Sequence, residues 1–168
     1  MAPNGTVVGS YDLSGEAGAI AIDRSSGTVW VCLASQGQVA RVSTAGAVLG
    51  VTNVNQFGDW LTALVLDSKG HAWVGQRFSH RVAKLRPDGT VFGQFRAPLE
   101  VSTLLVDAQD NVLVASLHDG FRKLSPEGRW LATYDLKGVW DWAFDPAGAL
   151  WVIGNSTYYS GGIYKVTL

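Results

Sequence analysis

One feature constrains this chain of 168 residues more than any other: an internal repeat of four units that runs out of phase with the chain. The segment Thr6–Leu13 (TVVGSYDL) recurs as Ala47–Val54 (AVLGVTNV), Thr90–Ala97 (TVFGQFRA) and Arg129–Leu136 (RWLATYDL). The first copy precedes every other part of the repeat. The unit after the last copy never receives its own. One strand is therefore spare at the start, and one sheet is a strand short at the end.

The remainder of the unit is equally regular. An apolar run ending in Asp occurs at 19–23, 63–67, 103–107 and 142–145. A short polar turn follows each run, then a second apolar strand containing Trp30, Trp73, Leu113 or Trp151. A third strand carries a cation just before its last apolar residue: Arg41, Lys84, Lys123 and Lys165. A period of about forty residues with four short strands is the mark of a propeller blade. The strands are bounded by turns and rich in Val, Leu, Trp and Tyr. No stretch shows a helical apolar period.

The expected fold is therefore all-β: a single β-propeller domain over 1–168 with four four-stranded blades. The blades cover approximately 17–54, 60–97, 102–136 and 140–168, the last completed by 5–13. Inner strands of a blade are covered on both faces, so they should read as continuous apolar runs, as they do. The Asp closing each first strand suits a turn in which its carboxylate takes backbone amides. Trp30, Trp73 and Trp151 are expected to fill the wedges between blades. The recurring cations are expected to run past apolar stems to solvent.

Closure can occur in two ways. The N-terminal strand can complete the last blade of its own chain, giving a four-bladed ring. Alternatively, two chains exchange these strands and form an eight-bladed ring with two-fold symmetry. Four blades demand a wedge of about ninety degrees between neighbours, and eight demand half of it. A homodimer is the expectation.

Composition excludes several partners. Thirteen Lys and Arg stand against fourteen Asp and Glu, a formal net charge of −1, so nothing favours nucleic acid or an anionic membrane surface. No run is long enough to span a membrane, and no n-region and h-region of a signal peptide is visible at the start. The compartment stays open. The single cysteine, Cys32, lies in a strand and reads as a small buried hydrophobe.

The pattern D-x-x-G-x-x-W-V, then a hairpin and x-V-x-K-[LV]-x-x-[DE]-G, resembles the NHL, streptogramin-lyase and regucalcin/gluconolactonase group of propellers. It is clearest at Asp67–Val74 and Lys84–Gly89. The resemblance implies six or seven blades where this chain has four. It also implies, for the lyases, Glu three residues after the blade Trp; Leu33, Gln76, Ser116 and Gly154 stand there. For the regucalcin-like enzymes it implies a divalent cation held by Glu, Asn and Asp at the channel mouth. Asp59, Glu100 and Asp141 are the nearest acids, and three acids on the axis would bind calcium. Their other reading is as loop charges or strand-entry caps.

Residues that break the repeat escape a purely structural explanation, and loops on a rigid scaffold carry specificity. The ligand-binding candidates are Asp59, Trp60, Arg77, His80, His118, Asp119, Trp140, Asp141, Tyr158 and Tyr159. His80 and His118 occupy comparable hairpins and, with Asp119, would suit a metal or acid–base pair; their plainer reading is surface histidine. Tyr158 and Tyr159 suit a sugar or peptide contact, or an ordinary long hairpin. No catalytic residue is assigned. The leading expectation is a non-catalytic binding or assembly module for a small ligand, glycan or protein. The alternatives are an architectural subunit of a virion or envelope assembly, and a metal-dependent lactonase or lyase.

Overall fold

The computed structural model describes the backbone of residues 5–54, 59–157 and 160–168, and the side chains of all of these but 155–157 and 160. Blade 1 comprises β1 (Ala17–Asp23), β2 (Thr28–Leu33), β3 (Gln38–Val42) and β4 (Val48–Asn53). Blade 2 comprises β5 (Leu61–Leu66), β6 (Ala72–Gln76), β7 (Arg81–Leu85) and β8 (Val91–Arg96). Blade 3 comprises β9 (Val101–Val106), β10 (Val112–Ser116), β11 (Phe121–Leu124) and β12 (Trp130–Tyr134). Blade 4 holds three strands, β13 (Asp141–Phe144), β14 (Leu150–Thr157) and β15 (Ser160–Val166). Every sheet is an antiparallel meander in chain order. One 3-10 turn, Ala34–Gln36, interrupts the β structure.

The turn between the first two strands of each blade is fixed by its Asp. The Asp67 carboxylate accepts the amides of Lys69 (3.1 Å) and His71 (2.9 Å), and Asp107 and Asp145 accept the equivalent amides of their own turns. The turn then needs a left-handed residue, which is Gly27, Gly70 and Gly148 in three blades. Blade 3 places Asp110 there at φ 61°, and its carboxylate accepts Ser68 Oγ of blade 2 at 2.6 Å. Asp tolerates this conformation better than most residues, and here it ties two blades together.

Three apolar clusters lie between consecutive blades. Trp30, Cys32 and Val39 of blade 1 meet Leu64, Val74 and Leu85 of blade 2. Trp73 and Val82 of blade 2 meet Leu104, Val114 and Leu124 of blade 3. Leu113, Ala115 and Phe121 of blade 3 meet Trp142, Leu150 and Val152 of blade 4. Burial pushes the Cys32 thiol up to about 12, so it serves as packing.

The cations do not all run to solvent. Lys84 is buried, pairs with Asp67 (3.4 Å) and donates to the Pro126 carbonyl of blade 3 at 2.8 Å. Arg41 likewise donates to the Pro87 carbonyl of blade 2 at 3.0 Å. Lys123 pairs with Asp107 at 2.9 Å. A snorkelling side chain would leave these carboxylates and carbonyls unmatched; Arg41 and Lys84 act as blade-to-blade ties, and Lys123 neutralises the Asp of its own blade.

Two expectations are corrected at the ends. Trp151 is 41% exposed, because no blade covers the far face of blade 4. Residues 6–13 form no strand within the chain, so the last sheet is not completed in cis. Instead Leu13 packs with Val29, Val31, Leu33 and Ala40 on the far face of blade 1, and the Tyr11 ring lies directly against Gly46.

Candidate functional site

Hairpins and connectors of blades 2 and 3 meet at one end of the sheets, opposite the Asp turns. The hairpin between β6 and β7 is held by Asp59. Its buried carboxylate accepts the amides of Phe78 (2.6 Å), Ser79 (2.7 Å) and Trp60 (2.9 Å). Ser116 has the same role in blade 3, where its hydroxyl accepts the amides of His118 and Asp119, both at 3.0 Å, and donates to the Leu99 carbonyl. These bonds fix loops that carry charged side chains.

Two residues here are held in left-handed backbone. His80, at φ 54°, stands where the hairpins of blades 1 and 3 have Gly37 and Gly120. Glu100, at φ 50°, stands where blade 4 has Gly138. Each costs roughly 1–3 kcal/mol relative to an unstrained residue. His80 Nδ1 accepts the Glu100 amide at 3.4 Å. The Glu100 carboxylate lies 3.3 Å from His118 Nε2 and 3.7 Å from the Arg77 guanidinium. Glu100 thus links His80, His118 and Arg77, four side chains from three loops.

Beside this cluster a cleft of about 310 Å³ opens between the blades, lined by Ser79, His80, Arg81, Arg96, Leu99, Asp119 and Arg122 among others. Arg81 and Arg96 are direct cross-strand partners on β7 and β8. Like charges so placed repel. Arg122 enters from β11 with its guanidinium 3.8 Å from the Trp130 ring centroid and its Nε buried without a hydrogen-bond partner. Burial and the Arg96 charge push the Arg122 guanidinium below its ordinary value, while Asp119 pulls the other way. Among the described residues no carboxylate forms an ion pair with any of the three arginines. Asp119 accepts the Leu99 amide at 3.1 Å.

A larger groove of about 570 Å³ runs between blades 3 and 4 at the Asp-turn end. Its charges are already matched, with Lys123 on Asp107. Volume does not decide between the two; unmatched charge does.

The structure gathers Arg77, His80, His118 and Asp119 with Trp60 alongside, on the end of blades 2 and 3. Asp59 lies beneath them as a buried loop anchor. Trp140 and Asp141 stand apart on blade 4, where Trp140 is exposed and Asp141 accepts the amide of its neighbour Trp142. Tyr158 and Tyr159 lie outside the described residues. The three acids read as a calcium set take separate roles: Asp59 anchors a hairpin, Glu100 binds His118 and Arg77, and Asp141 opens β13. Among the described residues no group of three His, Cys, Asp or Glu side chains is placed to hold a metal ion. Sequence reasoning missed Arg81, Arg96 and Arg122. Arg122 did carry a signal, since it stands where blades 1 and 2 have Ala40 and Ala83 and so breaks the repeat.

Comparison with protein-family models gives no match, and comparison with curated proteins gives none either. Solved structures do match. A streptogramin B lyase superposes with a TM-score of 0.73 at 17% identity, over 89% of this chain and 54% of its own. Virginiamycin B lyase from Staphylococcus aureus gives 0.70 at 12% identity, over 90% and 56%. Kuenenia stuttgartiensis hydrazine synthase gives 0.80 at 16% identity, over 97% and 48%. The chain spans about half the length of these proteins. The fold they define is a β-propeller of the streptogramin-lyase type, and this chain is four consecutive blades of it.

Proposed function

We propose that this chain is a propeller-type binding module whose cleft between blades 2 and 3 takes a small ligand through an anionic oxygen group, a carboxylate or a phosphate. The observation that carries this reading is the set of three arginines around one cleft, none in an ion pair with a carboxylate among the described residues, in a chain whose net charge is −1. Arg offers a planar fork that matches both anions in bidentate fashion. A bound anion would relieve the repulsion between Arg81 and Arg96 and the partner deficit at Arg122. With its Nδ1 accepting the Glu100 amide, His80 offers Nε2–H as a further donor at the rim, and the strained backbone at His80 and Glu100 fits a site held by its surroundings.

The test is calorimetric titration of the full chain with inorganic phosphate and, separately, with succinate, each against sodium chloride at equal ionic strength. Binding of either, weakened about tenfold or more by Arg96→Gln or Arg122→Gln, supports the reading. Phosphate alone or succinate alone identifies the group recognised. Binding of neither, or binding that ignores both substitutions, overturns it. Arg81→Gln, at an exposed position, serves where Arg122→Gln unfolds the protein.

A further inference from the structure

The far faces of blades 1 and 4 are the two halves of a blade interface that the chain does not make with itself. Repeat equivalence shows it. Trp151, Ile153 and Ile163 on blade 4 correspond to Trp30, Cys32 and Val39, which pack blade 1 on blade 2. Yet Ile163 is 70% exposed. Ile20, Val31 and Ala40 on blade 1 correspond to Leu64, Val74 and Ala83, the receiving face of blade 2. Ile20 is 65% exposed. An apolar patch of this kind on a soluble domain marks an interaction surface.

The N-terminal segment is already in position for that interface. Tyr11 and Leu13 are the repeat equivalents of Thr52 and Val54, and of Phe95 and Ala97. Those outer-strand residues all reach forward to the next blade. Thr52 Oγ1 donates to the Gly89 carbonyl at 2.7 Å, the Phe95 ring covers Gly128, and Val54 and Ala97 join the clusters between blades. Tyr11 against Gly46 and Leu13 among Val31, Leu33 and Ala40 repeat those contacts on blade 1. Residues 9–13 therefore lie where the outer strand of a blade preceding blade 1 would lie, with Val7 and Val8 exposed beside them. The outer edge of β15 is the edge that lacks such a strand.

We infer that blade 4 of one copy packs on blade 1 of a second copy, whose residues 6–13 pair with β15 as its missing fourth strand. Two such contacts close a symmetric ring of eight blades and remove every free sheet edge at the junctions. A second copy fits where the chain's own blade 1 does not, because Ile20 on blade 1 and Ile163 on blade 4 stay exposed within one chain. Lys165, the equivalent of Arg41 and Lys84, would then reach the Thr44 carbonyl of the partner, the position of Pro87 and Pro126 in the repeat.

Light scattering after size exclusion measures this directly on the full chain. A mass near twice the 18.0 kDa of one chain is expected, falling to a single chain in Ile163→Asp with an unchanged far-ultraviolet spectrum. Where that variant unfolds, Lys165→Glu replaces it. Amides of Val7–Asp12 should be protected from hydrogen exchange in the native protein and exchange freely in the dissociated variant. A single-chain mass for the native protein, a ring of any other number of chains, or a dimer indifferent to both substitutions overturns the inference. Phosphate or succinate binding retained by the single-chain variant would separate this outcome from that of the cleft, which blades 2 and 3 form alone.

Discussion

Blade 2 and blade 4 carry the same repeat residues in opposite surroundings. Trp73 is fully buried and Trp151 is 41% exposed; the Lys84 side chain is 5% exposed and that of Lys165 is 57%. Local bonds survive the difference: Trp73 donates its indole N–H to Asp67 at 3.3 Å, and Trp151 donates to Asp145 at 3.0 Å. What changes is the neighbour. Blade 3 covers Trp73, and among the described residues no further blade lies on the Trp151 face. The repeat therefore sets the hydrogen bonds inside a blade, while the adjoining blade sets how much each bond and each apolar face contributes to stability.

Substitution at the two tryptophans is the widest test of that contrast. Trp73→Ala should destabilise by about 4 kcal/mol, because it empties the centre of the cluster between blades 2 and 3. Trp151→Ala should cost the single chain under about 1 kcal/mol, as expected for a partly exposed site. Urea denaturation with matched m-values measures both. Equal losses in a protein shown to be a single chain would break the comparison.

The ion pairs come next. Lys84→Ala leaves Asp67 buried without its cation and should cost about 3 kcal/mol. Lys165→Ala removes an exposed pair with Asp145 and should cost the single chain no more than about 0.5 kcal/mol. Chemical denaturation of the two variants checks the ratio.

Acid sharpens the same contrast. Burial raises the Asp67 and Asp107 carboxyls, but their hydrogen bonds and the nearby Lys84 and Lys123 outweigh it, and both are held below the usual carboxylate value. The unfolded chain then takes up protons at a higher pH than the fold does. Their stabilisation is complete above about pH 4 and is lost as pH falls through the lowered folded values. Asp67→Asn should flatten that part of the stability curve, measured by thermal unfolding from neutral pH to pH 2. An unchanged slope would mean that the buried pair contributes nothing through its charge.

At the cleft the expected change is a gain. His80→Gly restores the glycine that blades 1 and 3 have at this position, and should raise stability by about 1 kcal/mol through relief of the left-handed backbone. A loss of stability would show that the His80 ring contacts outweigh the strain.

Where the candidate residues fall in the fold was largely legible. The positions that break the repeat, Arg77, His80, His118 and Asp119, come together because equivalent hairpins of adjacent blades must emerge at the same end of the sheets. The chemistry was less legible. Asp59 looked like a ligand residue, yet it is consumed by three backbone amides, which sequence spacing does not reveal. Arg81 and Arg96 sit in ordinary strand positions, and only the β7–β8 register sets them opposite one another.

By itself the sequence determined the strands, their order and the turns, since an Asp, a left-handed residue and a continuous apolar run act within a dozen residues of one another. Only the tertiary structure decided which repeated residues are buried, that Arg41 and Lys84 tie blade to blade, and that Tyr11 and Leu13 rest against blade 1. Those outcomes depend on contacts between segments that are distant along the chain, whose strength is set by the blade that happens to stand alongside.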